Sequence, residues 1–264
     1  MQSPMADAPP DGAPAARDFD AATYHRISAP HQAWAAELLD RLALRGDETV
    51  LDAGCGTGRV TELLLARLPR GRVVAVDSAP SMVARAREVL GARATVIEAD
   101  LTRLELPTPV DAVFSNAVFH WIADHDALFA RLFAALRPGG RLVAQCGGAG
   151  NIARFLAVAD AVAARPPYAP HLAGWRAPKR FAAPEETVAR LRRAGFADAR
   201  AWLVPWEVTP SAPADFVRTL CLKLHLEQLP EALRDRYLAD VLAAAGTPVR
   251  LDFVRLNIDA RRPT

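Results

Sequence analysis

The chain is poor in cysteine and carries no long apolar run. Its three cysteines, Cys55, Cys146 and Cys221, are odd in number and far apart, with neither a CxxC pair nor a Cys/His cluster at metal spacing. That argues against a disulfide scaffold and against a metal site, and it fits the reducing cytoplasm. No window reaches the roughly 18 uncharged apolar residues that a membrane-spanning helix needs. The opening segment, MQSPMADAPPDGAPAAR, lacks the basic start and apolar stretch of a signal peptide and is expected to be a disordered tail over residues 1–17. An excess of one charge is missing too: 32 Lys and Arg stand against 30 Asp and Glu, for a net charge of +2. No whole-protein field therefore gathers nucleic acid or an anionic membrane. Two common nucleotide loops are absent as well. A GxGxxG fingerprint would need glycine where Arg59 stands, and no GxxxxGK[ST] phosphate loop occurs.

What is present is enough for one α/β domain with an embedded insertion: 264 residues, 51% hydrophobic and 23% charged. Residues 18–44 have helical spacing at Trp34, Leu38, Leu39 and Leu42. The pattern then alternates. TVLDA, RVVAVD, ATVIEAD, VDAVFSN and GRLVAQC predict strands over 49–53, 72–77, 94–100, 110–116 and 140–146, and helices are predicted between them. One of those helices covers 78–90 with Ser78 or Ser81 as its cap, and another covers 124–136 and ends before Pro138. Strands alternating with helices predict a doubly wound, seven-stranded, mostly parallel sheet. After Gly150 the rhythm breaks into an expected insertion containing the Pro-rich loop APHLAGWRAPKR. A helix in EETVARLRRAGF, a sixth strand over 197–208, a helical pair over 212–226 and 231–244, and a seventh strand in VRLDFVRLNIDARR follow.

VLDAGCGTG (50–58) is the most informative stretch. A buried strand ends at Asp52, and Gly54, Gly56 and Gly58 let the backbone turn tightly and approach a ligand before the next helix. Asp77, ending the second strand, offers a carboxylate that can accept two charge-assisted hydrogen bonds from a ribose diol. Asp100, ending the third, is placed to accept from an exocyclic amine such as that of adenine. Each acid alone reads as a capping or solvated group. Three of them at successive strand ends favour an adenosine site.

VLDAGCGTG, AVDSAPSM, EADL and LRPGGRLV together resemble the motifs of the class I S-adenosylmethionine-dependent methyltransferases over about residues 46–146. SNAVFHWIADH and the helical pair before the last strand are similar, more loosely, to the trans-aconitate methyltransferase-like small-molecule subgroup. The resemblance implies a Rossmann-like fold with a helical cap and an N-terminal lid, and S-adenosylmethionine as cofactor. It implies that Gly54, Gly56 and Gly58 pass the methionine moiety with Asp52 near its amino group. Asp77 would hold the ribose, Ser78 and Met82 would flank adenine, and Asp100 would take its amino group with a backbone contact from Leu101. Ser115 and Asn116 would lie beside the methionine, and Tyr24, Arg26 and Gln32 are lid candidates. The implied division is a tail (1–17), a lid (18–45), a cofactor-binding core (46–146), a cap insertion (147–183), the end of the core sheet (184–208 and 248–262) and a helical cap segment (209–247).

A sulfonium methyl needs alignment more than activation, and orientation can contribute roughly 7 to 11 kcal/mol. A carboxylate acceptor, with a pKa near 4, is ionised at neutral pH and needs no base, whereas a phenol near 10 does. The resemblance favours the first case, so the expected reaction is methyl transfer to an oxygen of a small molecule, a carboxylic acid first. His120 either packs at the strand end or donates to the acceptor or serves as a base; Trp121 would wall the pocket. The cations that could hold a carboxylate are His171, Arg176, Lys179 and Arg180 in the insertion and Arg218, Lys223 and His225 in the helical pair, with Arg180 and Arg218 singled out because Arg binds carboxylate in bidentate fashion. Trp175, Trp202 and Trp206 could line an apolar pocket. The alternatives are C-, N- or phenol O-methylation, an inactive cofactor-binding partner protein, and RNA modification, although no RNA motif is present. Oligomeric state is open.

Overall fold

A computed structural model describes residues 29–264, with side chains from residue 35 onward. The expected tail and the lid candidates Tyr24 and Arg26 lie outside the described residues. Gln32 falls in the first helix, but its side chain is likewise outside them.

Seven strands form one sheet in the order β3-β2-β1-β4-β5-β7-β6. They are β1 (Thr49–Ala53), β2 (Arg72–Asp77), β3 (Thr95–Glu98), β4 (Val110–Asn116), β5 (Leu136–Gly147), β6 (Ala197–Val208) and β7 (Leu251–Arg261). β7 runs antiparallel to both β5 and β6, and the other pairings are parallel. The expected fold class holds. Central strands such as TVLDA are buried over nearly their whole length because helices cover both faces. On one face α1 (Ala29–Leu42), α2 (Arg59–Ala66) and α3 (Pro80–Leu90) bury Leu38, Leu42, Leu64 and Leu90 with Val50, Phe114 and Val143. On the other, α4 (His125–Ala135) and α7 (Pro184–Arg193) bury Leu128, Leu132 and Leu191 with Leu51, Val113 and Ile258. Arg41 ties α1 to the far side of the sheet, meeting Asp259 at 2.7 Å and lying 4.7 Å above the Trp202 ring.

A second apolar core lies where β6 ends and β7 begins. It joins α5 (Ala153–Ala163) and the short α6 (Ala169–Leu172) to a second helical segment made of α8 (Pro213–Phe216), α9 (Lys223–Gln228) and α10 (Glu231–Ala245). Tyr168 and Tyr237 meet edge to face at 5.1 Å in its centre, and the Tyr237 hydroxyl donates to the Ala159 carbonyl at 3.0 Å. This cap stands at the carboxyl end of β5, because antiparallel β7 starts there.

The structure moves several expected boundaries. β3 is shorter than expected, stopping at Glu98. β5 is longer, beginning at Leu136 with an irregularity between Val110 and Ala112 of its partner. Neither Ser78 nor Ser81 caps α3: its N-cap is Ala79, whose N–H donates to Asp77 Oδ1 at 3.0 Å, and Pro80 opens the helix without needing a donor. The helical run expected over 212–226 is broken by a π-turn at Val217–Cys221. Such turns often occur at functional sites. Among the described residues no helix is long and apolar enough to cross a membrane.

Candidate active site

Strand order reverses between β1 and β4, and in a doubly wound sheet the ligand crevice opens at the carboxyl ends of the strands flanking that reversal. The glycine loop leaves β1 at this point. Gly54 and Cys55 both donate to the Val76 carbonyl, at 2.8 and 2.9 Å, so the loop is pinned to the end of β2. Gly54, Gly56 and Gly58 have φ of +85°, +54° and +83°. Their surroundings separate their roles. A Cβ on Gly54 would lie 2.2 Å from Val118, and one on Gly58 would lie 3.0 Å from Leu90, whereas one on Gly56 would meet nothing within 4 Å. The outer two glycines permit close packing; the middle one borders open space.

This arrangement makes a specific prediction. Gly54→Ala meets both an unfavourable φ and a clash with the Val118 side chain, and is expected to destabilise the fold by about 2–4 kcal/mol. Val118→Ala in the same chain should recover part of the loss, because it removes the atoms that the new methyl strikes. Thermal or urea unfolding of the single and double variants measures this.

The acids face the loop. Asp52 is 2% exposed and accepts from Thr61 Oγ1 at 2.7 Å. Burial pushes its pKa up to about 7, against the Thr61 bond and with help from the negative charge of Asp77. Asp77 Oδ2 accepts from the Gly56 N–H at 2.9 Å while its Oδ1 takes Ala79, so one carboxylate braces both ends of the crevice wall. Burial raises its pKa, and these backbone donors offset part of the rise. Asp100 is exposed, and its Oδ1 accepts from the backbone N–H and hydroxyl of Thr102, both at 2.8 Å, which fixes the turn after β3. Leu101 and Met82 are buried; Ser78 is exposed beside Asp77. Ser115 Oγ donates to the Ala53 carbonyl at 2.7 Å and so locks β4 to the end of β1. Asn116 ends β4 opposite Gln145 of β5.

Val118, seated on Gly54, carries the chain from the end of β4 into the turn Phe119–Trp121. Buried His125 holds that turn through Nε2 and the Phe119 carbonyl at 2.9 Å. His120 is 9% exposed; its Nδ1 accepts the Gly147 N–H at 3.3 Å, and its ring stacks on Phe181 at 5.9 Å. A backbone N–H can only donate, so the imidazole proton sits on Nε2 and His120 presents a donor rather than a base at that nitrogen. The His120 carbonyl accepts the Arg180 N–H at 2.9 Å, which staples the insertion loop to the turn. Lys179 then lies with Nζ 4.3 Å from the Trp121 ring centre and donates to the Leu220 carbonyl at 3.2 Å.

The two arginines singled out from the sequence are each engaged by a carboxylate. Arg180 pairs with Glu186, which also holds Arg190 at 3.0 Å, and Arg218 pairs with Asp235 at 2.6 Å on an exposed face of the cap. The three tryptophans go to different settings: Trp175 meets His225 in the cap, Trp202 lies under Arg41, and Trp206 is 41% exposed. A buried polar row went unnoticed in the sequence. Arg255, 2% exposed, donates through Nε to Gln145 Oε1 at 3.1 Å, and Gln145 Nε2 donates to Asn257 Oδ1 at 2.9 Å. Its signal was available: Arg255, Asn257 and Asp259 alternate along one face of a strand otherwise rich in apolar residues.

A family profile described as "Methyltransferase domain" matches residues 50–140. A protein named trans-aconitate 2-methyltransferase from Methylobacterium nodulans is 33% identical over 93% of this chain and 98% of its own length. Among solved structures, a methyltransferase of Bacillus halodurans described as putative superposes with a TM-score of 0.59 at 18% identity, over 88% of this chain and 100% of its own. Phosphoethanolamine N-methyltransferase 2 of Haemonchus contortus, in complex with phosphomonomethylethanolamine and S-adenosylhomocysteine, superposes with a TM-score of 0.61 at 19% identity, over 92% of this chain and 57% of its own. At those identities the solved structures speak to the fold alone.

Proposed function

Starting from the chain's membership of the S-adenosylmethionine-dependent methyltransferases, in the family of the trans-aconitate 2-methyltransferases, we propose that it methylates a carboxylate oxygen of a small organic acid, giving a methyl ester and S-adenosylhomocysteine. The crevice suits the cofactor in shape and charge. Gly56 borders open space, and two carboxylates, the buried Asp52 and the partly buried Asp77, flank the loop where a cation and a ribose diol need acceptors. In this reading Gly54, Gly56 and Gly58 pass the methionine, Asp52 takes its ammonium, and Asp77 takes the ribose. Ser78 and Met82 border adenine, Asp100 and Leu101 meet its edge, and Ser115 and Asn116 lie beside the methionine. S-adenosylmethionine supplies an electrophilic sulfonium methyl. The remaining work of this chain is to place an acceptor oxygen, exclude water and offer charge to the acceptor.

The observation that carries the carboxylate reading is the state of His120. With Nδ1 taken by the Gly147 N–H, the imidazole proton sits on Nε2 and the ring is a donor there, not a base. A donor there holds an acceptor that is already anionic, and it does not deprotonate a neutral one. Trp121, fixed under the Lys179 ammonium, forms the adjoining wall. The match to trans-aconitate 2-methyltransferases over nearly the whole chain supports a small acid as acceptor.

The test is incubation with isotope-labelled cofactor and a panel of carboxylic acids, phenols and amines, read by mass spectrometry. Label in a methyl ester supports the reading; label confined to phenols or amines overturns it. His120→Phe keeps the ring that stacks on Phe181 but removes the donor. It is expected to lower kcat/KM for an acid acceptor about 10- to 100-fold, the worth of a hydrogen bond to a charged group, with S-adenosylhomocysteine affinity retained.

A further inference from the structure

Where β7 ends and β6 begins, two strands away from β1 and its glycine loop, a recess of about 700 Å³ opens beside the start of β5. Its floor is apolar: Leu142, Val143, Phe196 and Ala260 are all buried. Its walls carry five arginines, Arg41 of α1, Arg141 of β5, Arg192 of α7, Arg200 of β6 and Arg261 of β7, against two carboxylates, Asp198 and Asp259. Packing employs some of them. Arg141 donates to the Leu42 carbonyl and lies 3.2 Å from Glu48, and Arg41 is held by Asp259 and Asn257. Arg200 shares that same Asp259 at 3.5 Å, with its side chain 75% exposed. Arg192 and Arg261 pair with no carboxylate among the described residues; on α7 it is Arg190 and Arg193 that take Asp126. With Arg141 set aside for Glu48, four guanidiniums face two carboxylates. The excess of two positive charges in one recess equals the net charge of the whole chain. A bulge shapes the opening. Ala197 pairs with Arg261 and Arg200 with Asp259, so Asp198 and Ala199 stand opposite Ala260 alone, and Asp198 takes a left-handed φ of +50°. Bulges end strand pairing and re-aim side chains, and they are common beside binding sites.

We propose that this recess is a second ligand site, separate from the cofactor crevice, which binds the phosphate groups of a small soluble molecule. Guanidinium forks match phosphate oxygens, and the charge-assisted bonds they form are about twice as strong as neutral ones. The arrangement of the arginines selects phosphate over carboxylate. A carboxylate is planar and is filled by one fork, whereas a phosphate turns oxygens in three directions and can meet Arg192, Arg200 and Arg261 arriving from α7, β6 and β7. Arg200 gives up only a long contact to Asp259 in doing so, and Arg41, held in place, keeps that carboxylate neutralised. The apolar floor excludes water on one side and strengthens each of these interactions. The volume lies in the range of small-ligand sites, and the near-balance of charge over the rest of the chain leaves no track for an extended polyanion. The site is independent of what the methyl acceptor is.

The test is calorimetric titration of inorganic pyrophosphate, ADP and citrate into the full chain saturated with S-adenosylhomocysteine, which keeps the probes out of the cofactor crevice, at about 150 mM salt to screen diffuse attraction. Pyrophosphate is expected to bind at one site per chain and more tightly than citrate. The double variant Arg192→Gln/Arg261→Gln should weaken it at least about 10-fold. Arg70→Gln/Arg72→Gln removes the same charge at the start of β2, far from the recess, and should leave it unchanged. All four side chains are exposed, and thermal unfolding verifies that both variants fold. ADP separates the sources of the phosphate: binding tighter than pyrophosphate brings a nucleoside onto the apolar floor, and equal or weaker binding assigns the site to the free anion, each in support of the site. Four results would overturn it: no saturable binding of pyrophosphate or ADP, an equal loss in the two double variants, citrate binding tighter than pyrophosphate, or binding of a single-stranded RNA oligonucleotide alone.

Discussion

Asp77→Asn is expected to weaken S-adenosylhomocysteine binding at least 100-fold, measured by calorimetry, in a protein that still unfolds cooperatively. The native carboxylate uses both oxygens on backbone donors, Gly56 on Oδ2 and Ala79 on Oδ1, and keeps lone pairs for a ribose diol. An amide has one oxygen. Whichever way it turns, its NH2 faces either the Gly56 or the Ala79 N–H, donor against donor, so the loop or the start of α3 must shift. The same change removes the negative charge that the diol hydrogens would meet. Hydrogen bonds to a charged partner contribute about 1.5–3 kcal/mol each, and losing two of them corresponds to more than two orders of magnitude in affinity. Undiminished affinity would remove Asp77 from the site and leave it a role in loop shape alone.

The sheet was legible in the sequence because its inner strands are apolar on both faces and end sharply at Gly, Pro or Asp. β1, β2, β4 and β6 fall where the composition places them. The errors have local causes. At β3, an edge strand with one neighbour, Ala99 instead donates to the Asp77 carbonyl outside the ladder. At α3 a serine adjacent to the helix start looked like a cap, but the carboxylate of the preceding strand already held the relevant N–H. The loop acids could be placed for a related reason: β1, β2 and β3 are sequential neighbours in one half of the sheet, so motif spacing translates directly into space.

The acceptor side is different. Arg180 and Arg218 have the chemistry a carboxylate needs, but their engagement by Glu186 and Asp235 is decided by packing across elements. His120 was ambiguous between packing, donating and accepting until Gly147, contributed by β5, fixed which ring nitrogen carries the proton. Side-chain type gave the candidates, and tertiary contact distributed the roles among them.

The buried Asp52 leads to a prediction in which stability and binding move in opposite directions. Its pKa in the folded chain is about 7, above the ordinary aspartate value of 3.8, because burial and Asp77 disfavour the carboxylate more than Thr61 supports it. A raised folded pKa means that the native state holds the proton more tightly than the unfolded chain does. This group's contribution to stability is therefore fully present below about pH 4 and is lost as pH rises toward 7. By pH 8 the fold carries a buried negative charge whose cost is on the order of 2–4 kcal/mol. Asp52→Asn keeps an oxygen for Thr61 and removes that charge, so it should raise the Tm of the ligand-free protein at pH 8 by several degrees, by less at pH 5, and change it little below pH 4. Binding should respond the other way. An ammonium placed beside Asp52 favours the ionised form, so S-adenosylhomocysteine affinity is expected to rise through pH 6–8 in the wild type, with proton release measurable from calorimetry in buffers of different ionisation enthalpy. In Asp52→Asn both the proton release and most of the affinity should disappear. A variant that is stabilised at pH 8 yet binds as tightly as the wild type would show that the buried charge serves something other than the cofactor's amino group.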